Sequence, residues 1–416
     1  MWLSMKTEIT PRFSIILPNK LAYKLESDLL QCNQNNIMED ISMNEFIKQI
    51  TAYTYIGDFG QTVYEFAMEC TGNIPPVSAG DFKISGAQKD ISGKVPPSDI
   101  IGIRKENNVI VIEADPFLYR TDFAVTGSGD AEKLSFSKGD ITHMVTRTAD
   151  DFAAHNEGGV LYRLYSPEVS GPRPLVLFLH GGGETGNDNF SQMVGTIGAA
   201  SLAERWPDSY IMAPQAPGKQ MTPEEFQEIM KTANPFDMIN DKFPYSGKCT
   251  SGWNRDYLSK VCRIIRDMIS DGRVDERRVY VIGLSMGGAG TLRALSVDPE
   301  LFAAAAPICP SMNNETYNIL NNIRNNALWI SAAYIDHQPS RHAYLTRAYQ
   351  KLLAEGKTEV NLTIYTPEEL AKYGIGCRSD LTYTELLSEN HNCWTLTLHN
   401  EHGILDWLIS VIKRLD

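Results

Sequence analysis

The stretch RVYVIGLSMGGAGTLRALS, residues 278–296, decides the fold. Its first half is an apolar, β-branched run, the pattern of a parallel strand covered on both faces. Its second half reads as a helix. Between them, Gly283-Leu284-Ser285-Met286-Gly287 fits the G-x-S-x-G pattern. The two glycines have a physical reason. A serine at the tip of so sharp a turn would be crowded by side chains two residues to either side. The turn lifts the hydroxyl above a sheet and sets it at a helix N-terminus, where the helix dipole favours developing negative charge. Ser285 is therefore the expected nucleophile; the bland alternative is a glycine-rich turn with an idle serine.

A second apolar run, RPLVLFLHGGG at 173–183, ends in His180-Gly181-Gly182-Gly183. Such a turn can aim backbone N–H groups at a tetrahedral intermediate. One donor is expected from Gly182 or Gly183, and another from Met286, the residue after the nucleophile. His180 is expected to pin the loop. A phosphate loop is disfavoured, because neither GxGxxG nor GxxxxGK[ST] is present.

A serine hydroxyl needs an imidazole to take its proton and an acid to orient that imidazole. In this arrangement the chain order is Ser, acid, His. The run ALWISAAYID ends at Asp336, the expected acid, with Asp380 and Asp406 in reserve. His391, His399 and His402 all follow the last strand; His391, in ENHNCWTLTL, is the expected base. His399 and His402 suit surface or capping roles, and a metal pair there lacks a third ligand and the HExxH pattern. Trp253, Tyr334 and Trp394 lie near these segments in sequence and are candidates for lining a substrate pocket, with core packing as the plainer alternative.

Around these motifs, strands and helices alternate from about residue 155. SYIMAPQAP, LFAAAAPIC and EVNLTIYTP read as further strands, and RDYLSKVCRIIRDMISDG, RHAYLTRAYQKLLAEG and GILDWLISVIKRL as helices. This is an α/β sheet flanked by helices. Residues 45–150 instead give short β-branched and aromatic runs broken by Gly, Pro and Asp, the texture of a small β-sandwich. Residues 1–44 read as an extension, and the long connection at 214–255 as a candidate cover for the site.

With 416 residues, 43% hydrophobic and 21% charged, the chain can bury a sizeable core without cross-links. A net charge of −13 argues against nucleic acid or an anionic membrane as partner. The seven cysteines include no CxxC pair; free thiols are expected, with Cys377–Cys393 the one imaginable bridge. The N-terminal residues show neither a long apolar core nor a small-residue cleavage site, so a cytoplasmic location is expected unless a leader has been trimmed.

Taken together, RVYVIGLSMGGAGTLRALSVDPELFAAAAPIC, LFLHGGGETGNDN, the IDHQP segment and HNCW…DWL resemble esterases of the polyhydroxybutyrate-depolymerase and feruloyl-esterase-like group of α/β hydrolases. The segments ITAYTYIGDFGQTVYEFAMECTG and VSAGDFKISG look like the immunoglobulin-like domain carried by some bacterial carboxylesterases of that group. The resemblance covers most of 45–416. It implies an immunoglobulin-like β-domain at 45–150 and an α/β-hydrolase domain at 151–416. It also implies a Ser285, Asp336, His391 triad and no cofactor. Its substrates would be small-molecule or carbohydrate-linked esters, short-chain acyl or phenolic. The β-domain would serve packing, loop support or homo-oligomer formation. Two departures stand out: Cys393 where serine is often found, and Pro310 after Cys309 where glycine is common. A prolyl-oligopeptidase-type peptidase shares fold and triad and is the alternative reading, although its usual propeller is far larger than the β-region here.

Overall fold

A computed structural model describes residues 45–89, 98–218, 252–323, 326–338 and 341–414. The extension read at 1–44, and positions 219–251 of the long connection, lie outside these residues, as do Cys32 and Cys249.

The first strands are β1 (Ile47–Gly57), β2 (Gly60–Cys70), β3 (Phe82–Ser85), β4 (Ile100–Glu106), β5 (Val109–Leu118), β6 (Ala124–Gly127), β7 (Phe136–Ser137) and β8 (His143–Thr146). They form a five-stranded sheet in the order β4-β5-β2-β1-β8 and a three-stranded sheet in the order β3-β6-β7. Alternate residues of β1, β2 and β5 (Ile50, Ala52, Phe66, Met68, Ile110, Ile112) share one core with Phe82, Ile84, Val125 and Phe136 of the smaller sheet. Phe66 meets Phe136 edge to face, with ring centroids 5.0 Å apart, a favoured aromatic geometry.

The remaining strands are β9 (Ala153–Glu157), β10 (Val160–Tyr165), β11 (Arg173–Leu179), β12 (Tyr210–Pro214), β13 (Val274–Leu284), β14 (Ala304–Ile308), β15 (Ala327–Ala333) and β16 (Val360–Tyr365). They make one eight-stranded sheet in the order β16-β15-β14-β13-β11-β12-β10-β9. Strands β11 to β16 pair in parallel, and the β9–β10 hairpin joins antiparallel at the β12 edge. Period-two alternation sends Leu175, Leu177, Val279 and Val281 to one face, and Val176, Phe178, Tyr280 and Ile282 to the other. The first face packs against helices Arg255–Ser270 and Met286–Val297, the second against Gly198–Arg205 and Ile404–Ser410. Both faces are covered, which is why these strands read as unbroken apolar runs.

The chain leaves β11 toward β12 on one side and returns to β13 on the other. The carboxyl ends of β11 and β13 at this reversal are the usual ligand position in open parallel sheets. The loop after β11 and the turn after β13 are the two glycine-rich motifs of the sequence.

Candidate active site

Ser285 links β13 to helix Met286–Val297 with φ 56 and ψ −114. A left-handed φ is rare for a residue other than glycine and marks strain kept by its surroundings. Those surroundings are explicit. The Ser285 N–H donates to the Ile308 carbonyl at 2.9 Å, while the Ser285 carbonyl accepts from Ala289 and Ser311, both at 3.1 Å. A methyl on Gly283 would lie 2.4 Å from the Gly287 carbonyl oxygen, and one on Gly288 would lie 2.5 Å from that of Ile308. No side chain fits at either place.

The side chains of Ser285, Asp336 and His391 come together although 51 and 55 residues separate them along the chain. The Ser285 hydroxyl donates to His391 Nε2 across 2.9 Å, and His391 Nδ1–H donates to Asp336 Oδ2 across 3.2 Å. His391 sits in a short turn, His391–Cys393, directly after helix Tyr383–Asn390. Burial lowers its pKa; Cys309 opposes this and the Arg341 charge adds to it. Asp336 is buried beyond the end of β15, and its other oxygen accepts the Gln338 N–H at 2.9 Å.

Three further side chains, Arg341, Gln338 and His337, adjoin this cluster. Arg341 is buried and donates from Nη1 to Asp336 Oδ2 and from Nε to the Pro310 carbonyl at 2.9 Å. Gln338 clamps the backbone of Met312, accepting at 3.0 Å and donating at 2.6 Å. The His337 ring stands edge-on to that of His391 with centroids 3.8 Å apart, and burial holds its pKa well below 6.5.

The register Leu179↔Gly283 sets the loop after β11 beside the Ser285 turn. Gly182 and Gly183 are exposed and begin a single 3-10 turn, Gly182–Glu184; a methyl on either would meet nothing within 4 Å. Met286 is the first residue of its helix, where N–H groups lack intrahelical partners. His180 is wholly buried. Its Nε2 accepts the Ala216 N–H at 2.9 Å and its Nδ1–H donates to the Gly181 carbonyl at 2.6 Å. Burial drops its pKa to about 4, so it is a neutral pin between the ends of β11 and β12. Glu184 is buried too, and desolvation raises its pKa to about 7.

The aromatic candidates divide. Trp253 does not line a pocket. It is 1% exposed, lies against Gly290 and donates from its indole to the His180 carbonyl at 3.0 Å. The reason is steric: Gly290 has no side chain, and the indole takes the vacated space. Trp394 is half-buried and perpendicular to His391, centroids 5.3 Å apart. Tyr334 is half-buried on the core of the second sheet face. His399 and His402 pair with Asp58 and Glu369 at 2.8 and 2.7 Å, away from Ser285. Asp380 is exposed, and Asp406 pairs with Arg205. Cys377 is exposed and Cys393 buried, and both are free thiols, so they form no bridge. Among the described residues no His, Cys, Asp and Glu group could hold a metal.

Residues 245–363 match the prolyl oligopeptidase family. A thermostable esterase structure is similar with a TM-score of 0.61 at 23% identity, over 88% of this chain and 100% of the other. Two further likenesses are weaker. A 2,6-dihydroxy-pseudo-oxynicotine hydrolase gives a TM-score of 0.37 at 14% identity, covering 64% of this chain and 69% of its own. An arylesterase gives 0.34 at 14%, covering 52% and 74%. No curated protein matches the chain. The sheet topology and the first of these structures establish an α/β-hydrolase fold.

Proposed function

We propose that the protein hydrolyses carboxylic esters through an acyl-enzyme, with Ser285 as nucleophile, His391 as general base and Asp336 as its orienting acid. The observation that carries this reading is the unbroken hydrogen-bond chain from Ser285 to His391 to Asp336. His391 takes the hydroxyl proton as Ser285 attacks the ester carbonyl, then returns it to the departing alkoxide. Water, activated by the same imidazole, releases the acid and frees the serine. Backbone N–H groups of Gly182 or Gly183 and of Met286 would receive the negative charge of each tetrahedral intermediate. No cofactor enters this cycle.

Short-chain acyl or phenolic esters, as in the polyhydroxybutyrate-depolymerase and feruloyl-esterase-like group, are the proposed substrates. The two β-sheets over one core before Ala149 support an immunoglobulin-like reading of that region. The match at 245–363 favours a second reading, a serine peptidase of the prolyl-oligopeptidase type.

Hydrolysis of chromogenic short-chain and feruloyl esters, set beside a proline-containing peptide panel, tests both. The expected outcome is ester turnover that Ser285→Ala lowers by at least about ten-thousand-fold, with fluorophosphonate labelling lost in parallel. Equal rates from both proteins would end the proposal. A preference for peptides would replace it with the second reading.

A further inference from the structure

The geometry points to Arg341 as a positioning residue that aims Asp336 at His391 and sets the pH at which the base becomes available. This inference rests on the ester-hydrolase reading. Arg341 opens helix Arg341–Ala354, yet its side chain is 2% exposed, like that of Asp336. Its guanidinium and the His391 ring put two donors on one carboxylate oxygen, with Nη1 and Nδ1 3.2 Å apart. Two donors at that spacing cannot bond to each other, so both depend on Asp336 for an acceptor. Through Nε, Arg341 also grips the Pro310 carbonyl, one residue before the Ser311 N–H that bonds to Ser285. One side chain therefore joins the loop after β14, the acid and the base.

The charge balance differs from that of a bare triad. Asp336 and Arg341 form a neutral buried pair, so the resting site carries no net charge from them. An imidazolium at His391 would gain the attraction of Asp336 but also meet Arg341 at close range. Every group facing His391 has to be counted. Ser285 faces it from the nucleophile turn, Asp336 and His337 from beyond β15, Arg341 from the next helix, and Cys309 from beyond β14; Cys393 shares its own turn. Among the described residues, Arg341 is the one group of these that carries a fixed positive charge.

Removing that charge acts in one direction by two routes. His391 loses a repelling neighbour, and Asp336 loses its counter-ion, so the site as a whole binds a proton more tightly. The kcat/KM profile for a chromogenic ester, measured from pH 4 to 9, reads this directly. Arg341→Met is expected to move the acidic limb upward by about one to three pH units. Arg341→Lys, which keeps charge but not the planar fork, is expected to restore the limb near its wild-type position while kcat stays reduced and KM changes little. Arg341→Gln gives the charge-removed comparison if the methionine variant does not fold. Coincident limbs in wild type and the neutral variants would overturn the inference, leaving Arg341 a structural ion pair. Absence of ester turnover and of phosphonate labelling in the wild type would instead sink the reading beneath it.

Discussion

Gly287 lies so close to Leu179 that a methyl group added to it would sit 1.9 Å from the Leu179 carbonyl oxygen and 2.5 Å from that of His180. The helix that follows Ser285 is thus seated directly on the end of β11, backbone against backbone. Yielding is costly, because Leu179 is paired in the sheet with Gly283 and the His180 carbonyl accepts the Trp253 indole N–H. Gly287→Ala is expected to destabilise the fold by about 3 kcal/mol or more, the upper range for overpacking, and to lower turnover by displacing Ser285. Thermal melting checks it: a midpoint equal to wild type would mean the contact relaxes freely.

Gly182 gives the opposite case. The space about it is open, and it is the first residue of its 3-10 turn, preceded by Gly181 in extended conformation (φ −76, ψ −174). Proline is tolerated at such a first position after an extended residue. Gly182→Pro deletes one N–H and little else. If that N–H stabilises the oxyanion, kcat falls by about a hundredfold or more with KM nearly constant and melting unchanged. An undiminished kcat would assign the donor elsewhere, with Gly183 next to test.

These two glycines also show what a sequence discloses and what it hides. The turn at Ser285 could be read because its pentapeptide pattern is contiguous. The contacts that forbid side chains are only partly local, since Gly283 faces the Gly287 carbonyl but Gly287 faces those of Leu179 and His180. The parallel strands β11 and β13 to β15 could be read because burial on both faces makes their central positions almost wholly apolar. Strand order could not, since the pairing of β10 with β12 joins segments distant in sequence. Arg341 looks like a surface arginine at a helix start, and only the turn bringing Asp336 toward it makes it a buried partner. Glu184 follows three glycines, and nothing local reveals that it is buried against Gly195.

For Trp253 the sequence left pocket lining and core packing open; the structure buries it, and its role is testable. Its indole packs on Gly290 and bonds to the His180 carbonyl. Trp253→Ala is expected to cost about 3–5 kcal/mol, and Trp253→Phe about 1 kcal/mol beyond its packing loss, for the missing hydrogen bond. Neither loss should come with a selective rise in KM for short esters. A several-fold rise in KM with melting intact would return Trp253 to the substrate pocket.

Glu184 makes the stability of the fold pH-dependent with a definite sign. Its carboxyl is raised from 4.5 to about 7 by desolvation, so between those values the folded chain keeps a proton that the unfolded chain has released. Its stabilising contribution is complete below pH 4.5, declines as pH rises, and is gone above about 7. The difference corresponds to roughly 3 kcal/mol. His180 works the other way: lowered from 6.5 to about 4 by burial, it costs stability as pH falls through that interval. The two slopes overlap in the wild type, so its own profile cannot separate them. Glu184→Gln removes one and leaves the other. Its melting temperature relative to wild type is expected to rise steadily from pH 4.5 to 7 and then level off, because only the wild type must ionise a buried carboxyl. A difference that stays flat with pH would mean that Glu184 is solvated enough to titrate normally.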